Sequence, residues 1–316
     1  MKRIFTLVAF LGMFVGGMFA QTSSFVTLSH EGQLSFFEGY EALENALEAA
    51  QDDDVLYLSR GMYAISTQEL KITKKVRLVG DGYDTFVNSR VSYDTGGATW
   101  IYTEAEPALE GVRVKSVNNA VQQSGFTDML VIRSCKIDEL GLRSDSERYF
   151  LERCYVGTMN IVASEANNQS VYVRNSKVEY FFCKGFGGKV VFENCNIREL
   201  LEFAGTAYSC IIATISFSNR EGYAYKCWLP GFEGTEESGL SQADSCYYYI
   251  NCTMDDNLET NWYTDILGSD GTRAGIHGGQ FPYSESPALP TVDVANSSVS
   301  YDSSNNQLNV AITVKE

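Results

Sequence analysis

A phrase of five residues returns six times through the middle of this chain, and any fold proposed for it must give all six the same environment. The copies occupy 130–134, 149–153, 171–175, 190–194, 215–219 and 247–251. Their first and third residues are apolar throughout: Leu130 and Ile132, Tyr149 and Leu151, Val171 and Val173, Val190 and Phe192, Ile215 and Phe217, Tyr247 and Tyr249. Such alternation is the period of a β-strand, which sends these residues to one face and the second and fourth to the other. The fifth residue is Ser134, Arg153, Asn175, Asn194, Asn219 or Asn251. Asn tolerates the left-handed backbone that a tight bend requires. A second inward run follows, with Ile137, Val156, Val178, Ile197 and Met254 three residues past the bend and Leu140, Met159, Phe181 and Leu200 six past it.

The fifth residues lie 19, 22, 19, 25 and 32 residues apart, the period of one solenoid coil with loops lengthening toward the C-terminus. A leucine-rich repeat has a similar period but needs a leucine scaffold and a helix in each repeat, and neither is present. The expected fold class is therefore all-β, a right-handed parallel β-helix. Its short strands, asparagine bends and variable loops resemble the pectate-lyase-like family, whose stacked coils carry ladders of Asn and of apolar side chains. The resemblance covers most of the chain that follows the first twenty residues.

Both ends depart from the repeat. Tyr40, Leu43, Ala46, Leu47 and Ala50 recur at helical spacing, which predicts an amphipathic helix over 39–50 that covers the open first coil. Strand phrases follow at 55–58, Gly61-Met62-Tyr63, 70–72 and 76–82, with Gly at the bends. This opening is similar to that of many extracellular β-helix proteins, and Gly275-Ile276-His277-Gly278-Gly279 near the end resembles the ends of exported β-helix proteins of Bacteroidetes, a group that lends no activity. The expected organisation is a signal peptide at 1–20, an N-terminal segment and capping helix at 21–54, the β-helix at 55–264 with a long loop at 220–246, and a C-terminal cap at 265–316. That cap is expected to hold a hairpin of 291–294 with 308–314.

The signal peptide rests on Lys2 and Arg3 ahead of an apolar run that closes on Ala20. Its removal leaves 22 Lys and Arg against 40 Asp and Glu, a formal charge of −18. So acidic a chain repels nucleic acid and anionic lipid, and no membrane insertion is expected once the signal is gone. The periplasm, the cell surface or the medium is the expected location, with a polysaccharide or a surface protein as partner.

Eight cysteines in an exported chain would ordinarily imply disulfides. Here Cys135, Cys154, Cys195 and Cys252 each follow a bend, with Ser176 in the same slot, which reads as a stack of small buried side chains. A bridge between Cys135 and Cys154 stays open, because neighbouring coils lie about 4.8 Å apart. Cys246 and Cys252 are too few ligands for zinc.

Candidate chemistry lies on the outward positions. Arg133, Glu152, Arg174 and Glu193 alternate in sign on successive coils, the order that a surface ladder of attracting charges would take. A polysaccharide lyase would instead use such an Arg as base and Ca²⁺-bound acids to hold the sugar carboxylate; outside that alternative no cofactor is expected. Asp255, Asp256 and His277 are a weak echo of a glycoside hydrolase. Asp52-Asp53-Asp54 lacks the alternating spacing of a calcium loop and reads as a solvated turn, and His30 has no partner in view. Val131, Phe150, Tyr172, Val191 and Tyr248 form an outward apolar stripe that suits sugar rings or another protein. The candidate ligand-binding residues are Phe150, Tyr172, Tyr248, Arg133 and Arg174. The expected function is an exported, non-catalytic binding module, with a carbohydrate-active lyase or hydrolase and a structural surface protein as alternatives.

Overall fold

The computed structural model describes residues 24–66, 69–89, 100–103, 108–119, 129–142, 148–162, 170–184, 189–203, 205–217, 222–230, 240–244, 247–249, 267–268, 270–280, 282–285, 291–292, 298–302, 307–311 and 314–315. The chain is an all-β parallel β-helix with two long sheets. Met129–Arg133, Arg148–Glu152, Ser170–Arg174 and Lys189–Glu193 stack in parallel register in the first sheet. Lys136–Leu142, Tyr155–Val162, Lys177–Lys184 and Asn196–Phe203 do so in the second.

Register puts Ile132, Leu151, Val173 and Phe192 directly above one another, continued by Ala207 and Ala224, and all six are fully or almost fully buried. Ile137, Val156, Val178, Ile197 and Ile212 make a second buried column, and Leu140, Met159, Phe181, Leu200 and Ile215 a third. Between these last two columns each strand of the second sheet turns a corner. Asp138, Gly157, Glu179 and Arg198 drop out of the pairing there, so residues on both sides of the corner face inward. Phe181 meets Phe192 edge-on across the interior at 5.1 Å between ring centroids, which ties the two sheets together.

The bends are left-handed, as the repeat requires. Ser134, Arg153, Asn175, Asn194, Ser209 and Lys226 have φ between 47° and 54°. They lie 19, 22, 19, 15 and 17 residues apart, so the coils shorten toward the C-terminus instead of lengthening. This corrects the last two copies of the phrase. Ile215 and Phe217 belong to Ile211–Phe217 and Tyr247–Tyr249 pairs with Trp228–Pro230, all in the second sheet. Alternating apolar residues mark both sheets equally, and the phrase alone does not say which one. The true rungs of the first sheet are Thr206–Tyr208, Gly222–Tyr225 and Leu240–Asp244. Residues 220–246 therefore hold three strands and are not one long loop. Asn219, Asn251 and Met254 lie outside the described residues.

At the N-terminus Ala42–Ala49 is the helix, burying Ala42, Leu43, Ala46 and Leu47, while Tyr40 stays outside it and exposed. It is preceded by an antiparallel hairpin, Phe25–His30 with Gln33–Glu38, that starts the first sheet. Its two-residue loop, Glu31-Gly32, has positive φ at both positions, the geometry that suits the twist of a hairpin. Glu in place of the usual Asn or Asp hides that signal in the sequence. At the other end Ser298–Asp302 pairs with Gln307–Ala311 and Thr291–Val292 with Val314–Lys315. The expected hairpin thus gains an inner strand, 298–302, that the sequence reading missed.

Candidate binding face

The solvent side of the first sheet carries the charge ladder. Register aligns Glu110, Arg133, Glu152, Arg174 and Glu193 in one row. Glu152 sits at its centre, almost fully buried, and accepts hydrogen bonds from the Arg174 Nε at 3.0 Å and from its Nη2. On its other side the Arg133 Nε lies 3.3 Å from the second carboxylate oxygen. Opposite charges on neighbouring strands hold each other here, as period-two geometry and about 4.8 Å of strand spacing demand. Glu110 is engaged from the preceding coil by Arg77 at 2.5 Å.

Two residues back along the same strands lies the aromatic row. Phe150 and Tyr172 are paired in register and stack with centroids 5.7 Å apart and planes within 5°. Both guanidinium groups flank Phe150, that of Arg174 at 5.4 Å and that of Arg133 at 5.9 Å from the ring centroid. The Tyr172 hydroxyl donates to Glu193, and burial first, then that carboxylate, pushes its pKa upward. Phe150, Tyr172, Arg133 and Arg174 thus form one half-exposed patch. Tyr248 is not part of it, because it pairs with Leu229 in the second sheet. Val131 and Val191 do lie in the aromatic row, paired with Phe150 and Tyr172.

No protein-family model, curated protein or solved structure matches this chain. The patch must therefore be read from its own chemistry. Guanidinium and carboxylate groups alternate along the axis of the solenoid, with the stacked rings beside them.

The corner between the sheets is covered. Residues 270–280 run back along the bends, with the Gly275 N–H donating to the Ser209 carbonyl at 2.7 Å and the Ile276 N–H to Asn196 Oδ1 at 3.3 Å. Asn175 Nδ2 donates to the Gly278 carbonyl at 2.6 Å. Farther on, the Lys177 ammonium lies 4.7 Å over the Tyr283 ring, and the Tyr283 hydroxyl meets that of Tyr83 at 2.6 Å. This part of the expected C-terminal cap is a strap along the side of the solenoid. Its glycines permit the approach: a Cβ on Gly275 would stand 2.5 Å from Asn196 Oδ1.

The slot after the bend holds Cys135, Cys154, Ser176, Cys195, Cys210 and Cys227, and the five thiols are buried and form no disulfide. Each donates to the carbonyl two residues earlier, Cys135 at 3.1 Å and Cys154 at 3.3 Å, as the Ser176 hydroxyl does at 2.8 Å. The Cys135–Cys154 bridge is therefore not formed. Cys210 and Cys227 were missed by the phrase but carry its best signal, a bend residue followed at once by a small side chain. Cys246, Cys252, Asp255 and Asp256 lie outside the described residues, and His277 is an exposed residue of the strap. Among the described residues no three His, Cys, Asp or Glu side chains converge on a point.

His30 does have a partner. Its Nδ1 lies 2.7 Å from Oδ1 of the buried Asp54, whose other oxygen accepts the Gln51 N–H at 2.7 Å. Asp52 Oδ1 accepts the Lys75 N–H, so the acidic run is a hydrogen-bonded turn with one member turned inward.

Proposed function

We propose that this chain is an exported, non-catalytic β-helix that holds a polysaccharide along the outer face of its first sheet. The observation that carries the reading is the stacked Phe150–Tyr172 pair lying beside the row of Arg133, Glu152, Arg174 and Glu193. A polymer with regularly spaced hydroxyls would meet guanidinium donors at Arg133 and Arg174, two rungs apart, with the half-exposed rings beside them to receive its apolar C–H surfaces. Alternating charge leaves the row nearly neutral, which favours an uncharged glycan over a polyanion, since the chain as a whole carries −16. Export rests on the residues from Lys2 to Ala20.

The test is a glycan array and a pull-down on polysaccharides, with product analysis of the same mixtures. Retention of a neutral glycan without new products, weakened about tenfold by Phe150→Leu combined with Arg133→Ala, is the expected result, a change worth about 1.4 kcal/mol. Ca²⁺-dependent release of unsaturated uronides, abolished by Arg133→Ala or Arg174→Ala, would replace this reading with the lyase. Neither binding nor products would leave a structural surface protein.

A further inference from the structure

Gln33–Glu38 is the terminal strand of the first sheet, and among the described residues it pairs only with Phe25–His30. On its open side every second residue presents an unpaired backbone N–H and C=O, a template for another strand. Natural proteins blunt such edges with lysine, proline, bulges or an inward charge. None of these is present between Gln33 and Phe37, and the six pairs with the neighbouring strand run without a break in register.

The outer face of this edge is apolar. Phe36 is 67% and Leu34 58% exposed, and Phe36 shares a row with Tyr57, 48% exposed, because Thr27 pairs with both. On the inner face Phe37 packs against the core, which keeps the strand in place. Both ends of the edge are acidic, with Glu31 in the turn before it and Glu38 and Glu41 after it, all exposed.

These flanks decide the occupant. A second copy laid antiparallel and centred on Ser35 would match Leu34 with Phe36, but it would also bring the Glu38 of each strand beside the Glu31 of the other. Like charges side by side on neighbouring strands repel, within an already acidic molecule. We propose instead that Gln33–Glu38 accepts an extended segment of a partner protein, apolar at alternate residues and basic at both ends. Main-chain hydrogen bonds would hold such a segment, Leu34 and Phe36 would receive its side chains, and the glutamates would set its charge preference. Phe36 lies on the same outer face as the charge ladder, in the row that runs through Thr27, Tyr57, Val79 and Glu110 to Arg133, but Arg133 is five strands away and the open backbone edge belongs to Gln33–Glu38 alone, so either proposal can fail alone.

The experiment uses two fluorescent peptides, Lys-Thr-Val-Thr-Val-Thr-Val-Thr-Lys and the same sequence with Glu at both ends, titrated with the purified protein. Anisotropy should rise saturably with the Lys-flanked peptide and at least tenfold more weakly with the other. Leu34→Ser with Phe36→Ser, at exposed positions that leave the fold intact by circular dichroism, should cost tenfold or more. Glu31→Gln with Glu38→Gln should erase the difference between the peptides. Hydrogen exchange should slow in 33–38 when peptide is bound. No binding of either peptide overturns the proposal, as does binding that the serine variants leave unchanged. A dimer in light scattering that the serine variants dissociate would assign the edge to a second copy and overturn it too.

Discussion

Asn175 donates through Nδ2 to the carbonyl oxygen of Gly278, 103 residues further along the chain, at 2.6 Å. One residue thus does two things: its backbone makes a left-handed bend with φ of 47°, and its side chain fastens the strap. The two roles separate by substitution. Asn175→Ala leaves a buried carbonyl without its donor, worth about 1–3 kcal/mol, and adds about 1–2 kcal/mol of left-handed strain. Asn175→Gly removes the donor but not the backbone freedom. Chemical denaturation should therefore rank wild type above Gly above Ala, and both variants should speed hydrogen exchange around Gly278. Equal losses in the two variants would exclude strain at the bend.

The thiol column makes the protein sensitive to alkali. Burial, ahead of every other influence, pushes the Cys154 thiol up to about 12 and lifts Cys135 and Cys210 well above the usual thiol range. An acid whose pKa is raised on folding binds more protons folded than unfolded between the two values, so stability falls as pH rises through that interval. Stability should decline from about pH 9 upward, and Tyr83, Tyr155 and Tyr283, all shifted upward chiefly by burial, should add to the fall. At pH 8 a thiol reagent should leave the five buried cysteines unlabelled until denaturant is added. Rapid labelling of the native protein would show that the column is open to solvent.

Legibility followed the physics of each element. The columns through Ile132 and Ile137 were readable because a buried strand must alternate and a stacked one must repeat, and both constraints are local. The assignment of 215–217 and 247–249 to the wrong sheet arose because the two sheets share that alternation, and the residue after the bend, not the strand, distinguishes them. On the candidate face Arg133, Arg174, Phe150 and Tyr172 came out of one row each, whereas Tyr248 inherited the error in register. The strap was illegible for another reason: Asn175 meets Gly278 only through the fold, and nothing near either residue announces the contact. The His30–Asp54 pair escaped in the same way, because it joins the end of Phe25–His30 to the start of its antiparallel neighbour Val55–Leu58, 24 residues on.

That pair predicts a pH response near neutrality. The hydrogen bond that His30 Nδ1 donates to Asp54, opposed by partial desolvation, raises the His30 pKa above its ordinary 6.5. A cation favoured on folding contributes stability that is complete below 6.5 and lost as pH rises through the higher folded value. The melting temperature of the wild type should exceed that of His30→Gln at pH 5.5, and the gap should narrow by pH 8. A titration of the imidazole proton resonances gives the folded pKa directly, and a value at or below 6.5 would show that Asp54 does not hold the cation.

Glu152 offers the sharpest test of the ladder, since one almost fully buried carboxylate serves Arg133 and Arg174 together. Glu152→Gln keeps the shape and one acceptor but removes the charge, leaving two guanidinium groups facing each other across a neutral rung. Charge-assisted hydrogen bonds contribute about 1.5–3 kcal/mol where water is excluded. Here the arginines remain 41% and 29% exposed, so solvent recovers part of the loss and the expected cost is about 1–2 kcal/mol. Repeating the measurement in 1 M salt, where screening extends only about 3 Å, separates the contributions. Contact pairs lose little to screening, while the repulsion between Arg133 and Arg174 in the variant is damped. The difference between wild type and Glu152→Gln should therefore shrink with salt without vanishing. A difference below about 0.5 kcal/mol at low salt would place the ladder among surface pairs that add nothing measurable.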